Sequence, residues 1–373
     1  MIYLDSAATT LQKPPSVPKA VAQALATMTS PGRGNYGPAA RASQTLLACR
    51  EAAAERFRVD QPERVVLTFN ATHGLNIAVR SLVRPGQTVV LSGYEHNAVT
   101  RPLAMIPGVR VKLVKAPLFR PDLFLEEFER QLTGEVDAAV FTHVSNVFGY
   151  ALPMEQAAAL CRRNGVPFLV DASQSAGVLP VPMDGWGAEF IAMPGHKGLY
   201  GPQGTGLLLC ARTPEPLLQG GTGSESVRQE MPDFLPDRAE PGTHNLPGIA
   251  GLREGLRFVR RLGPETIARR EGRLLRQLGE GLARLPGVEC FYAPEGEHQA
   301  GVLSFRLSGR DCEEVGEALA DRGFALRAGL HCAPLAHETA GTLDTGTVRA
   351  SLSAFSREWE VERFLQTVRA MTR

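Results

Sequence analysis

The strongest constraint on the fold is a series of short, continuous apolar runs in the first two thirds of the chain. These runs cover residues 65–69, 88–92, 109–115, 138–144, 167–171, 190–193 and 206–210. Amphipathic stretches of helical length lie between several of them, such as 76–83 and 155–164. Because strands that are apolar along their whole length are covered on both faces, the pattern predicts a mostly parallel sheet between layers of helices.

A different order of elements begins near Gly263. The pattern predicts a helix over 265–285, strands over 288–292 and 301–307, a helix over 312–322, a strand over 347–353 and a helix over 358–372. We therefore expect a large domain at 15–262 and a smaller α+β domain formed by 1–14 together with 263–373. Residues 220–245 show little periodicity, which is typical of a loop at an active site or a subunit contact.

Charge and hydropathy exclude several classes of protein. The chain carries 40 Lys and Arg against 39 Asp and Glu, so its net charge gives no reason to expect nucleic acid or an anionic membrane as partner. Its first residues include Asp5 and lack the basic start and apolar run of a signal peptide. No apolar stretch is long enough to span a bilayer. A cytoplasmic location is the expectation.

The six cysteines show no metal-ligand spacing, and we expect reduced thiols. Five of them lie in helical or strand patterns and are predicted to be small buried residues: Cys49, Cys161, Cys210, Cys290 and Cys312. Cys332 instead lies in a turn bounded by Gly and Pro, near Arg327 and His331. Two potentially cationic neighbours favour a thiolate there, although a structural turn cysteine is the alternative.

Three polar motifs follow predicted strands. Lys197 comes after the strand 190–193, where a confined lysine can lose its proton and form a Schiff base with a carbonyl cofactor. Asp171 ends the strand 167–171, and its carboxylate suits the pyridine nitrogen of pyridoxal phosphate (PLP); a helix N-cap is the alternative. At 68–76 a strand passes directly into a helix, whose free N–H groups suit a phosphate, as does the Thr72 hydroxyl.

An ordered set of short motifs extends over nearly the whole chain, at 3–10, 71–72, 95–99, 143–146, 171–174, 195–197, 241–243, 327–332 and 348–351. As a set they resemble the class V aminotransferase superfamily, specifically its cysteine desulfurases and selenocysteine lyases. The resemblance implies a fold type I, aspartate-aminotransferase-like α/β architecture. In that architecture a large domain contains a mostly parallel seven-stranded sheet, and a smaller domain is α+β.

The resemblance also implies cofactor-binding roles. Lys197 would hold PLP and later move the substrate Cα proton, Asp171 would pair with the pyridinium, and His96 would stack on the ring as an acid or base. Further contacts to PLP would come from Ala71, Thr72 and His196 at the phosphate, from Asn146 and Gln174 near the ring hydroxyl, and from Thr243 at the phosphate of the neighbouring subunit.

Substrate binding would fall to Arg349, with Asn146 beside it, because a guanidinium makes two parallel bonds to a carboxylate. The alternative for Arg349 is a salt bridge within the small domain. The reaction implied is conversion of L-cysteine to L-alanine, with the sulfur passing to Cys332 as a persulfide and then to a thiol acceptor. The implied assembly is a homodimer with composite active sites, with a sulfur-acceptor protein as a further partner.

Three alternatives stay open at this stage. A selenocysteine lyase would act on L-selenocysteine with the same residues. Another class V reaction, by a racemase, lyase or aminotransferase, would leave Cys332 a bystander. A non-catalytic partner in cofactor or metal-cluster assembly would keep the fold alone. The chain also departs from the family pattern at Pro194, which cannot donate to a phosphate, at the additional Gly198, and at Leu330, where a histidine is common.

Overall fold

A computed structural model describes residues 1–32, 34–293 and 297–372 of the chain. The strands of these ranges are, in chain order, β1 (Ile2–Tyr3), β2 (Val65–Thr68), β3 (Thr88–Ser92), β4 (Arg110–Val114), β5 (Ala138–Thr142), β6 (Phe168–Asp171), β7 (Phe190–Pro194), β8 (Gly206–Cys210), β9 (Val288–Phe291), β10 (Val302–Leu307), β11 (Phe324–Ala325), β12 (Arg327–Gly329) and β13 (Thr347–Ser351). The helices are α1 (Ser16–Thr27), α2 (Gly37–Phe57), α3 (Ala71–Leu82), α4 (Asn97–Ala104), α5 (Pro121–Gln131), α6 (Met154–Asn164), α7 (Met183–Trp186), α8 (Leu246–Leu262), α9 (Pro264–Ala283), α10 (Cys312–Ala320), α11 (Pro334–Thr339) and α12 (Glu358–Met371).

The large sheet has seven strands in the order β2-β8-β7-β6-β5-β3-β4. Neighbours from β7 to β4 are parallel, and β8 runs antiparallel to both β2 and β7. Successive side chains of β3 pack on opposite faces of the sheet: Val90 belongs to one apolar cluster, and Val89 and Leu91 belong to another. The predicted mostly parallel, doubly covered sheet is confirmed, because both sets of residues are buried under helices.

A smaller antiparallel sheet follows in the last third of the chain, with the order β12-β13-β10-β9. The N-terminal residues pack against this part of the chain. β1 pairs with β11 in parallel, Asp5 forms an isolated bridge with Ser351, and Leu4 lies in one apolar core with Phe305 and Val361. These contacts hold the start of the chain beside β13, at the side of the large sheet where β6 and β7 end.

The exposure of the cysteines agrees with the sequence interpretation. Cys49, Cys161, Cys210 and Cys312 are buried and Cys290 is partly buried, whereas Cys332 is exposed. Among the described residues, no helix combines the length and apolar character that crossing a membrane requires. The same residues contain no cluster of three or more His, Cys, Asp or Glu side chains able to hold a metal ion.

Candidate active site

Most of the predicted site residues meet in one cavity at the carboxyl ends of β6 and β7. Parallel strands deliver their C-terminal residues to the same sheet edge, where open α/β sheets bind ligands. The cavity is lined, among others, by Ala71, Thr72, His96, Asn146, Asp171, Gln174, His196 and Lys197. Arg349, Cys332 and Thr243 are absent from this lining.

Lys197 lies in a tight turn directly after β7. The turn is closed by the Gly201 amide, which donates to the Gly195 carbonyl at 2.7 Å. No side chain fits at Gly198, because a Cβ there would lie 2.4 Å from the Ala176 carbonyl oxygen. Burial lowers the pKa of Lys197 to about 8, with the charge of Asp171 opposing this shift. A lysine with this pKa exchanges its proton near neutral pH.

Asp171 ends β6 and is 2% exposed. Its Oδ1 accepts a hydrogen bond from the Ser173 amide at 2.9 Å. Turns rather than a helix follow it, so the alternative of a helix N-cap is not what the structure contains. The carboxylate thus lines the cavity as a buried anion next to the strand that leads to Lys197.

His96 is the N-cap of α4, and its Nδ1 accepts a hydrogen bond from the Ala98 amide at 3.0 Å. This bond places the ring proton on Nε2 in the neutral imidazole. Burial is the main cause of its lowered pKa, the charge of Asp171 opposes it, and the charges of Lys197 and Arg101 add to it. His96 is therefore a neutral ring with one N–H, at the edge of the cavity.

The expected phosphate end of the cavity lies at the start of α3. Asn70 caps this helix by accepting from the His73 amide at 2.9 Å. The amides of Ala71 and Thr72 belong to the first turn, where N–H groups have no acceptor within the helix. His196 lies opposite, and burial lowers its pKa to about 4. Neutral donors and a helix N-terminus are suited to an anionic group.

Lys13, to which the sequence motifs assign no role, lies near His196 at this end of the site. Its ammonium donates to the His196 carbonyl at 3.0 Å and to the Thr10 hydroxyl at 2.5 Å. Burial lowers the pKa of Lys13 to about 8. The motif 3–10 ends three positions before Lys13, and this short spacing is the signal in the sequence that could have indicated a role for Lys13.

Arg349 lies on β13 and is 2% exposed. Its Nη2 donates to Asp5 Oδ1 at 2.9 Å, its Nη1 donates to the Asn146 carbonyl at 2.9 Å, and its Nε is buried without a partner among the described residues. Asp5 also pairs with Arg327 at 3.2 Å. The salt bridge considered as an alternative is thus present, with the unassigned Asp5 as its partner, and a substrate-binding role for Arg349 stays a prediction.

Asn146 connects the cavity to the segment that carries Cys332. Its Nδ2 donates to the His331 carbonyl at 2.8 Å. Its Oδ1 is buried without a partner in the described part of the chain. Buried amide oxygens are almost always hydrogen-bonded, so this acceptor calls for a donor from a bound molecule. Gln174 is held in the same cavity by donation to the Ala7 carbonyl at 3.0 Å.

Cys332 lies at the outer rim of the site. Its carbonyl accepts from the Asn97 amide at 2.8 Å, next to His96 on the chain. A second, outer pocket contains Cys332 and shares Thr72 and His96 with the inner cavity. An exposed thiol therefore lies in a pocket that adjoins the cavity containing Lys197.

One reason for expecting a thiolate at Cys332 is wrong. His331 is buried, its Nε2 lies 3.1 Å from the Thr347 carbonyl, and burial lowers its pKa to about 2. The imidazole is therefore neutral. Arg327, the other expected cation, is paired with Asp5. Sequence spacing identified both neighbours but gave no direction for their side chains.

Thr243 lies apart from the cavity of its own chain. It is exposed and precedes α8, at the end of the irregular segment 220–245. Glu240 anchors this end, because its carboxylate accepts two bonds from Arg50 at 2.6 Å and one from the Leu67 amide at 2.6 Å. An exposed position is compatible with contact to a second subunit.

The residues present fit PLP. The cavity combines an amine with a lowered pKa, a buried carboxylate, a neutral imidazole, a helix N-terminus and an unpartnered amide oxygen. These groups match the aldehyde, pyridine nitrogen, ring face, phosphate and hydroxyl of that cofactor. The fold and the site together define a PLP-dependent class of enzyme.

Comparison with known proteins agrees with this class. The profile of the family described as "Aminotransferase class-V" matches residues 2–364. A probable cysteine desulfurase of Mycolicibacterium paratuberculosis is 34% identical over 99% of this chain, and the chain spans 55% of that relative's length. A probable cysteine desulfurase of Methanothermobacter thermautotrophicus is 31% identical over 98% of the chain and 94% of the relative.

A solved structure extends the likeness to three dimensions. The apo cysteine desulfurase of Thermococcus onnurineus NA1 superposes with a TM-score of 0.90 and 29% identity, covering 100% of this chain and 94% of the other. The chain belongs to the class V aminotransferase family, among its cysteine desulfurases.

Proposed function

We propose that this protein is a PLP-dependent cysteine desulfurase, which converts L-cysteine to L-alanine and receives the sulfur on Cys332 as a persulfide. The observation behind the proposal is that His96 and Thr72 line both the cavity that contains Lys197 and the outer pocket that contains Cys332. A substrate held near Lys197 would extend its side chain toward the outer pocket. The exposed Cys332 thiol is the nucleophile available there.

Binding of the cofactor would use the residues of the inner cavity. Lys197 would hold its aldehyde carbon, Asp171 its pyridine nitrogen, and the amides of Ala71 and Thr72 its phosphate. When bound, PLP supplies an electron sink that stabilises negative charge at the substrate Cα. Asn146 Oδ1 would accept a hydrogen bond from a donor of the cofactor or the substrate, which gives this buried atom its missing partner.

Proton and sulfur transfer would then fall to Lys197 and Cys332. Because its pKa is lowered to about 8, a fraction of the Lys197 amine would be unprotonated at neutral pH and able to accept the Cα proton. The Cys332 thiolate would attack the substrate sulfur, forming an S–S bond as the C–S bond breaks. The electron pair of that bond and a proton would stay with the carbon skeleton, which leaves as L-alanine.

We also propose an oligomeric state and a cellular location. The exposed Thr243 would complete the phosphate site of a second subunit, which gives a homodimer with composite active sites. The dimer would act in the cytoplasm. Each subunit would have a large domain at 15–262 and a small domain formed by 1–14 together with 263–373. The persulfide would pass to a thiol acceptor, either a small molecule or a protein.

A set of variants tests this function. We expect Lys197→Ala to abolish alanine formation from L-cysteine and the visible absorbance of the purified protein. Cys332→Ser should keep the absorbance and lose persulfide formation, while Cys290→Ser, in a partly buried position, serves as the matched control. Unchanged sulfur transfer in Cys332→Ser would contradict the role of that thiol. With L-selenocysteine as substrate, persistent activity of Cys332→Ser would favour a selenocysteine lyase.

A further inference from the structure

The outer pocket is a groove between α3 and α4, with a volume of about 360 Å³. Residues spaced four apart share one face of a helix, and both helices turn such a face toward the groove. The residues that define it are Thr72, Asn76 and Arg80 from α3, Arg101 from α4, Met105 directly after α4, and Cys332. We call this feature the α3–α4 groove.

The charge of the α3–α4 groove is positive. Arg80 and Arg101 are exposed, and neither side chain has a hydrogen bond or ion pair with any other described residue. No Asp or Glu belongs to the described lining. The charge of Arg101 also contributes to the lowered pKa of His96, which places it near the inner cavity. Two unpaired guanidinium groups beside an exposed thiol are suited to an anionic molecule.

We propose that the α3–α4 groove binds the sulfur acceptor and that this acceptor is a small thiol carrying two carboxylates. The proposal rests on the proposed function, because an acceptor is needed only when Cys332 carries sulfur. The volume of the groove lies at the lower end of the range for small-molecule sites, roughly 300–1,000 Å³. Arg80 and Arg101 each supply a guanidinium for one carboxylate, which directs the acceptor thiol along the groove toward Cys332.

The transfer is a thiol–persulfide exchange. The acceptor thiolate attacks the terminal sulfur of the Cys332 persulfide and forms a new S–S bond with it. The S–S bond to Cys332 breaks, and Cys332 leaves as a thiolate that regains its proton from solvent. The acceptor departs as a persulfide, so sulfur is moved without any external oxidant or reductant.

The rate of this exchange tests the proposal. The full-length holoenzyme is first loaded with persulfide by L-cysteine, and excess substrate is removed. Release of sulfur is then timed with mercaptosuccinate, a thiol dicarboxylate, and with thioglycerol, a neutral thiol of similar size. The test variant is Arg80→Gln with Arg101→Gln. The control is Arg276→Gln on α9, an exposed arginine whose side chain has no partner among the described residues.

For mercaptosuccinate we expect the rate to fall about threefold for each arginine, as for favourable exposed ion pairs, and about tenfold for the double variant. The thioglycerol rate and the extent of persulfide loading should stay as in the wild type, and Arg276→Gln should behave as wild type with both thiols. Equal losses for both thiols, or no loss for mercaptosuccinate, would overturn the proposal.

A binding measurement separates this proposal from the proposed function. Mercaptosuccinate is titrated into the Cys332→Ser holoenzyme and its dissociation constant is measured by calorimetry. Saturable binding that weakens about tenfold in the double arginine variant supports the groove even if no persulfide ever forms on the wild type. Failure of persulfide loading alone would refute the desulfurase, and absence of saturable binding would refute the groove as an acceptor site.

Discussion

Asp5 Oδ1 lies 2.9 Å from Arg349 Nη2, so a residue at the start of the chain holds an arginine on β13. The same carboxylate pairs with Arg327 at 3.2 Å. Its negative charge also opposes the lowering of the Lys197 pKa. One N-terminal aspartate therefore pairs with two arginines from the last third of the chain and influences the amine at the centre of the site.

Replacement of Asp5 by asparagine should affect both properties. Asp5→Asn leaves Arg349 buried without a counter-charge, and we expect the free energy of unfolding to fall by about 3 kcal/mol. The pKa of Lys197 should fall further below about 8, because an opposing charge is removed. Urea unfolding and the pH dependence of Lys197 modification in the apoprotein measure these effects. Asp184→Asn, in an exposed pair with Arg58, is the control; equal effects from both variants would contradict this assignment.

The additional Gly198 gives a second prediction. A methyl group there would lie 2.4 Å from the Ala176 carbonyl oxygen, so Gly198→Ala must displace the turn that carries Lys197. We expect a lower content of bound PLP, measured as visible absorbance per protein chain. Gly272→Ala is the matched control, because its Cβ meets open space on α9, and the variant should be more stable by up to about 1 kcal/mol. Full cofactor content in Gly198→Ala would show that the turn tolerates the methyl group.

The ion pair between Arg50 and Glu240 predicts an effect on stability. Both residues are 7% exposed, and Glu240 joins the irregular segment 220–245 to β2. Removing one partner of a buried pair leaves an uncompensated charge, so Glu240→Gln should lower the free energy of unfolding by about 3–5 kcal/mol. Glu129→Gln, in an exposed pair with Arg163, should cost less than about 1 kcal/mol. Similar losses of unfolding free energy in the two variants would show that burial of the ion pair does not determine its contribution to stability.

Glu95 gives a prediction about pH. It is fully buried, its Oε1 accepts from the Thr142 amide at 2.7 Å, and burial raises its pKa from 4.5 to about 8. The folded protein therefore keeps a proton that the unfolded chain releases above its ordinary pKa. The stability that this proton confers is complete below pH 4.5 and is lost as the pH rises through about 8.

Glu95→Gln removes this titration, so its unfolding free energy should fall less than that of the wild type between about pH 5 and about pH 8. Denaturant unfolding across this range measures the difference. The exposed Glu126→Gln should follow the wild-type curve. A Glu95→Gln curve parallel to the wild type would mean that Glu95 is ionised throughout this range.

The sequence predicted the large sheet well, because fully apolar strands leave a pattern that depends on few distant contacts. The runs 88–92 and 206–210 match β3 and β8, and the other runs differ by one or two residues at their ends. Motifs that follow strands also predicted that Asp171 and Lys197 line one cavity. Both predictions rest on local sequence that ends at the same sheet edge.

The directions of side chains could not be predicted in this way. The His331 side chain is buried, and its Nε2 forms a hydrogen bond with the carbonyl of Thr347, which lies on a different strand. The sequence around Cys332 does not indicate that partner. Arg349 and Asp5 are 344 positions apart, so their pairing depends on tertiary packing. The arginines of the α3–α4 groove were likewise hidden, since two separate helices bring them together.

Mass spectrometry of the Cys332 peptide, after a single turnover of the wild-type holoenzyme with L-cysteine, determines whether this thiol receives the sulfur. We expect one added sulfur atom on Cys332 and one equivalent of L-alanine in solution. Alanine without sulfur on Cys332, or sulfur only on another cysteine, would contradict this expectation.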